Sequence, residues 1–263
     1  MPDRIKGKDN HYEKLYALMK VLREECPWDK EQTLLSLRRY TLEEVHEVLE
    51  AIDIADSDDN WEPLKSELGD LLIQVLFYSR IAEENGKFDL ADVIDALIDK
   101  MIYRHPHIFD NANPKDLTEQ WNKLKDAEHT ERKSLMDEIP PLPALKYAQK
   151  QQQRAARVGF DWTRASDVIV KMREELDELE HEVTNGGDMK RIEDEFGDVL
   201  FTLTNLARKL SLDAELCLMS TNRKFANRFR MMERLADDKG ILLDDLDLDQ
   251  QEELYKEAKG ITN

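Results

Sequence analysis

One acidic pattern is written twice in this chain, in the same order and at nearly the same spacing. EEVHE at 43–47 is followed by ELGDLLIQV at 67–75, and EELDE at 174–178 by EFGDVLFTL at 195–203. An aromatic turn precedes each copy, CPWD at 26–29 and GFDW at 159–162. The three landmarks recur with offsets of 134, 131 and 128 residues, a drift that changes in loop length produce. A self-similarity of about 130 residues means two copies of one folded unit, so any fold must be built twice.

What each copy folds into follows from its apolar period. Tyr12, Leu15, Tyr16, Met19 and Leu22 recur at three- and four-residue steps, as do Leu42, Val45, Val48, Leu49 and Ile52. Strand-like alternation between turn residues is nearly absent, and the prolines punctuate the periodic segments without interrupting them. The pattern predicts helices over 11–24, 33–56, 62–84, 90–103, 117–129, 143–157, 165–184, 189–210, 213–236 and 248–258. The fold class is all-α. TERKSLMDEIPPLPAL turns from polar to proline-rich, which sets an N-terminal domain at 11–130, a linker at 131–142 and a C-terminal domain at 143–263.

A net charge of −19 disfavours nucleic acid and anionic membranes as partners. Cys26 and Cys217 lack metal-ligand spacing and form no disulfide framework, which suits a reducing cytoplasm. MPDRIKGKDN carries no apolar signal core, and LLIQVLFY falls well short of a membrane span.

Like charges three or four residues apart on a helix repel by a few tenths of a kcal/mol. Both copies nonetheless read E-E-x-x-E, then 16 or 19 residues, then E-x-x-D. Glu44 with Glu47, and Glu175 with Glu178, share a helix face; Glu67 with Asp70, and Glu195 with Asp198, share a face of the next helix. The gap suffices for a turn and an antiparallel return, so the acids converge in an all-oxygen nest, the donor set of hard cations such as Mg²⁺. The second pair abuts runs apolar around most of the helix, which places it at the edge of a core, where uncompensated charge is costly. Gly69 and Gly197 sit inside these helices at a cost of roughly 1 kcal/mol each. Either tight helix packing or close approach of a ligand accounts for them.

These motifs, together with CPWDKEQT, RHPHIF, PPLPALKYAQK and AARVGFDW, resemble the tandem-domain MazG members of the all-α nucleoside triphosphate pyrophosphohydrolases, from about residue 11 onwards. The resemblance implies a Mg²⁺-dependent enzyme, with Mn²⁺ as a substitute, that cuts nucleoside triphosphates into monophosphate and pyrophosphate. It also implies a four-helix-bundle catalytic unit and a homodimer.

A triphosphate needs cations as well as carboxylates. Lys171 lies one turn before Glu174, Lys190 and Arg191 one turn before Glu195, and Lys224 with Arg228 at i, i+4. In the MazG-like pattern Lys171, Arg191, Lys224 and Arg228 face the phosphates, and Tyr255 falls near the base. The first copy has Tyr40 at the place of Lys171 and Ala96 at that of Lys224, with Lys100 matching Arg228, so turnover is assigned mainly to the C-terminal domain. Glu175, Glu178, Glu195 and Asp198 are the expected cation ligands, with Glu174 beside them to orient or deprotonate a water that attacks the α-phosphorus. Glu44, Glu47, Glu67 and Asp70 form a second acidic site. Spacing leaves open which carboxylate is base and which is ligand.

HEVLE at 46–50 lacks the second histidine of a zinc-protease motif. A di-iron carboxylate bundle would use Glu43 with His46 and Glu178 with His181, but His46 aligns with Asp177 and the histidines do not repeat. His105 and His107 flank a proline that suits a helix stop. Trp28 and Trp162 read as core anchors, while Trp61 and Trp121 receive no role. A non-catalytic helical scaffold that binds metal or nucleotide is the remaining alternative.

Overall fold

The protein was analysed as a computed structural model in which residues 10–109, 117, 120 and 133–262 are described. Every regular element among those residues is helical. Of the predicted helix over 117–129 only residues 117 and 120 are described, both helical, and Trp121 lies outside the described residues. The chain divides into two compact units, Met1–Thr130 and Glu131–Asn263.

The first unit comprises α1 (His11–Glu25), α2 (Pro27–Glu31), α3 (Leu34–Asp58), α4 (Glu62–Glu84), α5 (Leu90–Arg104) and α6 (Pro106–Phe109). Local chemistry sets the starts. Asn10 caps α1 by accepting the Glu13 N–H at 2.7 Å, and the pairs Thr33/Ser36 and Asp89/Asp92 form reciprocal capping boxes on α3 and α5. The helices α3 and α4 pack along their length. The core gathers Met19, Leu37, Leu76, Phe77, Ile81 and Leu90 from four helices. Arg23 pins the α2 turn by donating to the Gln32 carbonyl at 3.0 Å and ion-pairs with Glu84 at 2.6 Å. As the proline predicted, α5 stops at Arg104, and Pro106 then opens a single helical turn.

In the second unit α7 (Ala144–Ala156), α8 (Ala165–Thr184), α9 (Met189–Lys209), α10 (Ala214–Lys239) and α11 (Leu248–Ile261) follow. The central pair is α8 with α9, while α7 packs on α9 and α11 on α10. Buried amides and hydroxyls tie α7 to its neighbours. Gln152 Nε2 donates to the Phe201 carbonyl at 2.8 Å, and Gln149 Nε2 to the Leu212 carbonyl at 2.6 Å. Arg208 and Lys209 hold Asp161 of the aromatic turn, the latter at 2.6 Å. Burial alone would raise the Asp161 pKa, but the two cations win and hold its carboxyl below the usual range.

Three expectations need correction. The second acidic helix of each unit is not buried all round within the described residues. Leu68, Leu72 and Val75 on α4 are exposed, and so are their repeat mates Phe196, Leu200 and Leu203 on α9. The matching stripe on the other helix, Val45 and Ile52 or Leu176 and Val183, is exposed as well. Second, a Cβ built on Gly69 or Gly197 meets nothing within 4 Å, so no close packing inside the unit explains either glycine. Third, Trp28 is 48% exposed; it meets Tyr40 and Phe77 edge-on at 5.6 and 6.3 Å, and so only half serves as an anchor. Trp162 is 43% exposed and lines a pocket with Phe160 and Phe201.

The α8–α9 turn sets how the acidic helices meet. Gly186 takes a left-handed φ of +68°, and the Gly187 N–H donates to the Glu182 carbonyl at 2.8 Å. A Cβ on Gly187 would sit 2.9 Å from that same oxygen. Replacing Gly186 with Ala is expected to destabilise the protein by about 1–2 kcal/mol, the penalty of a left-handed backbone. Gly187→Ala is expected to lower the melting temperature too, because Glu182 must move; thermal unfolding of the full chain measures both.

Candidate active site

On α8, Lys171, Glu175, Glu178 and Glu182 recur at four, three and four residues, one stripe of a helix. Glu195 and Asp198 share a face one turn into α9. The α8–α9 hairpin brings Glu175, Glu195 and Asp198 together, with one oxygen of each within 4.8 Å of the others. Glu178 lies outside that group; it lines a groove of about 660 Å³ with Glu174, Asp177, His181, Glu182 and, from the trio, Glu195. The first unit repeats the arrangement. Glu44, Glu67 and Asp70 meet within 4.8 Å, and Glu47 stays outside. No histidine joins either group among the described residues, so the Glu43/His46 and Glu178/His181 pairs of the di-iron reading lie outside both. His181 Nδ1 instead lies 3.0 Å from the Asn185 amide.

Crowding has an electrostatic cost. The Glu195 pKa is raised, by desolvation first and then by Glu178, Asp198, Glu175 and Glu182. That of Glu44 is raised by burial and then by Asp70, Glu47 and Glu67, against a hydrogen bond from Gln74 that lowers it. Glu175, at 6% exposure, has the compensation a buried carboxylate requires. Lys171 Nζ lies 2.8 Å from both Glu174 Oε1 and Glu175 Oε1, and the two bonds raise its own pKa, that to Glu174 most. All-oxygen donors at this separation fit a hard divalent cation, which would be held by Glu175, Glu195 and Asp198.

Arg191 Nη1 lies 3.5 Å from Glu182 Oε1. Lys224, Arg228 and Tyr255, like Lys171 and Arg191, are not among the residues that line the groove. The first two lie on α10, where Phe225 stacks with Phe229 at 5.9 Å and packs on Tyr255 of α11 at 5.9 Å. Sequence reasoning gave no part to Glu182, although its place two turns beyond Glu175 on the same stripe was a usable signal.

The model of the MazG nucleotide pyrophosphohydrolase domain matches residues 32–109 and 165–231. The chain belongs to the MazG family. Both acidic trios fall inside the matched segments, and Tyr255 falls outside them. The chain is 43% identical over 260 residues to the nucleoside triphosphate pyrophosphohydrolase of Escherichia coli (strain K12), covering 95% of this chain and 97% of that one. It is 42% identical over 253 residues to the nucleoside triphosphate pyrophosphohydrolase/pyrophosphatase MazG of Thermotoga maritima, covering 95% and 96%. A further relative, the nucleoside triphosphate pyrophosphohydrolase of Mycobacterium tuberculosis, is 42% identical over 149 residues, 55% of this chain and 44% of that one. MazG membership thus rests on both halves, in agreement with the internal repeat.

In metal-free protein the raised Glu195 pKa has a definite sign. An acid whose folded pKa exceeds its unfolded one stabilises the fold when protonated, and that stability is lost as pH rises through the folded value. The window opens at the ordinary value of 4.5 and extends upward. Melting temperature is therefore expected to fall across it as pH increases, with a shallower fall in Glu195→Gln, read by thermal melts in chelator.

Proposed function

We propose that this chain, like the relatives it matches over nearly its whole length, is a nucleoside triphosphate pyrophosphohydrolase, with its main site on the α8–α9 hairpin. The observation that carries the reading is the trio Glu175, Glu195 and Asp198 beside Lys171, carboxylates for a cation next to a cation for phosphate, with Arg191 near Glu182 on the same α8 stripe. The reaction joins a water oxygen to the α-phosphorus and breaks its bond to the bridging oxygen of the β-phosphate. A monophosphate and pyrophosphate leave.

Mg²⁺, or Mn²⁺ in its place, supplies Lewis acidity to the phosphate oxygens and makes water more acidic. The chain's own groups do the rest. Glu175, Glu195 and Asp198 would hold the cation, and Glu178 lines the groove beside Glu195. Glu174, fixed by Lys171 at 2.8 Å, is aligned to take the water's proton. Lys171 and Arg191 receive phosphate oxygens. Lys224, Arg228 and Tyr255 offer a second cationic face with an aromatic platform for the base. The first unit keeps the acids, but Tyr40 and Ala96 replace two of the cations, so triphosphate turnover falls mainly to the second.

The protein works as a homodimer. The exposed stripes on α4 and α9 occupy matching positions at an offset of 128, and each belongs to a two-helix layer open on one side. A second copy of the chain covering them completes four-helix bundles of the usual kind. Gly69 and Gly197, open to 4 Å, leave room for its approach.

Glu178→Gln is expected to lower pyrophosphate release from ATP or GTP by about 10- to 100-fold, the scale of losing an outer partner of a metal site. Glu47→Gln is expected to retain much of it. The reverse ranking would move the main site to the first unit, and nucleotide binding without pyrophosphate release would favour the scaffold reading. Leu200→Glu is expected to shift the mass seen by light scattering from two chains to one.

A further inference from the structure

One acid of the groove has no part in holding a cation or taking a proton. Glu182 stands seven residues beyond Glu175, on the α8 stripe that carries the acids, and lines the groove with Glu178 and Glu195. It stays outside the trio. A further carboxylate beside a site for triphosphate repels the substrate unless its charge is engaged.

That charge is engaged by Arg191, whose Nη1 lies 3.5 Å from Glu182 Oε1. The partners are unequally placed, with the Glu182 side chain 17% exposed and that of Arg191 73% exposed. The turn between α8 and α9 is shaped around the carboxylate. A Cβ on Gly187 would collide with Glu182 Oε2, so the carboxylate fills the space a side chain at 187 would take. The Gly187 N–H also holds the Glu182 carbonyl, at 2.8 Å. An ion pair with so exposed an arginine adds little to stability. What it does is fix where a long, flexible side chain stands. Arg191 does not itself line the groove, but Glu182 does, so the pair ties the guanidinium to the groove wall. One carboxylate engages at most two of the five guanidinium N–H donors, which leaves others for phosphate oxygens.

The internal repeat supplies an independent comparison. Carried back by the offsets of 131 and 128, Glu182 becomes Ala51 and Arg191 becomes Pro63. Ala51 is buried in the first unit, and Pro63 lies in the first turn of α4. The first unit therefore lacks both partners together, although it keeps an acidic trio of its own. A carboxylate that only added negative charge around a cation would have no reason to come and go with an arginine.

We infer that Glu182 is a positioning residue for triphosphate capture, which holds the Arg191 guanidinium at the edge of the acidic groove, ready for phosphate oxygens. The inference rests on the proposed function for the identity of the substrate. Placing the side chain in advance removes an ordering cost that binding would otherwise meet.

A double-mutant cycle on the full chain tests this, read in KM and kcat for ATP with Mg²⁺ and in the Kd of its non-hydrolysable α,β-methylene analogue. Glu182→Gln keeps the size of the side chain and removes its charge. It is expected to raise KM and Kd about three- to fivefold, with a smaller change in kcat. Arg191→Gln is expected to raise both about tenfold, and the double variant no further than Arg191→Gln alone. Mn²⁺ binding without nucleotide, followed by the free-ion resonance, is expected to be the same in Glu182→Gln as in wild type. A lower KM in Glu182→Gln would mean that the carboxylate merely repels substrate, and would overturn the inference. Effects that multiply in the double variant, or Mn²⁺ binding weakened by Glu182→Gln, would do the same. So would KM and Kd unmoved by Glu182→Gln, whatever its melting temperature. If wild type binds the analogue but releases no pyrophosphate, hydrolysis is lost and the cycle in Kd still decides the role of Glu182. No binding of the analogue by wild type would sink both readings.

Discussion

Three carboxylates within 4.8 Å of one another are the contact on which the rest of each unit turns. Nothing in helix propensity favours it, and the raised pKa values of Glu44 and Glu195 record what it costs. The arrangement persists because two long helices, locked by a short turn at one end and by core contacts below, leave the acids no way to separate. In the second unit the lock is a glycine pair, Gly186 and Gly187, with α7 tied across α9 by buried glutamines. In the first it is a hydrophobic cluster drawn from α1, α3, α4 and α5. Different packing delivers the same carboxylate geometry, as expected if the geometry is what both copies preserve.

Most of the helical framework could be read from residue spacing, because an apolar stripe every 3.6 residues has few other uses. The predicted 165–184 and 62–84 coincide with α8 and α4. What escaped was short. Helices of one or two turns, such as Pro27–Glu31 and Pro106–Phe109, hold too few residues to show a period, and their starts depend on prolines that equally mark a stop.

The acids were legible for the same reason as the helices, since position on one helix face follows from counting. Their partners were not. That Glu178 would sit beside the trio, and not in it, depends on the crossing of α8 and α9, which no spacing encodes. Placing Lys224, Arg228 and Tyr255 required knowing that α10 pairs with α11, with Phe225 between them. The apolar runs after Glu67 and Glu195 read as fully buried, yet Leu72 and Val75 in the first and Leu200, Phe201 and Leu203 in the second are exposed.

Lys171 has a consequence of its own. Its ammonium spans Glu174 and Glu175, so the second site already contains a counter-ion, one that cannot diffuse away. A divalent cation bound through Glu175 would have to compete with that ammonium for the same carboxylate oxygen.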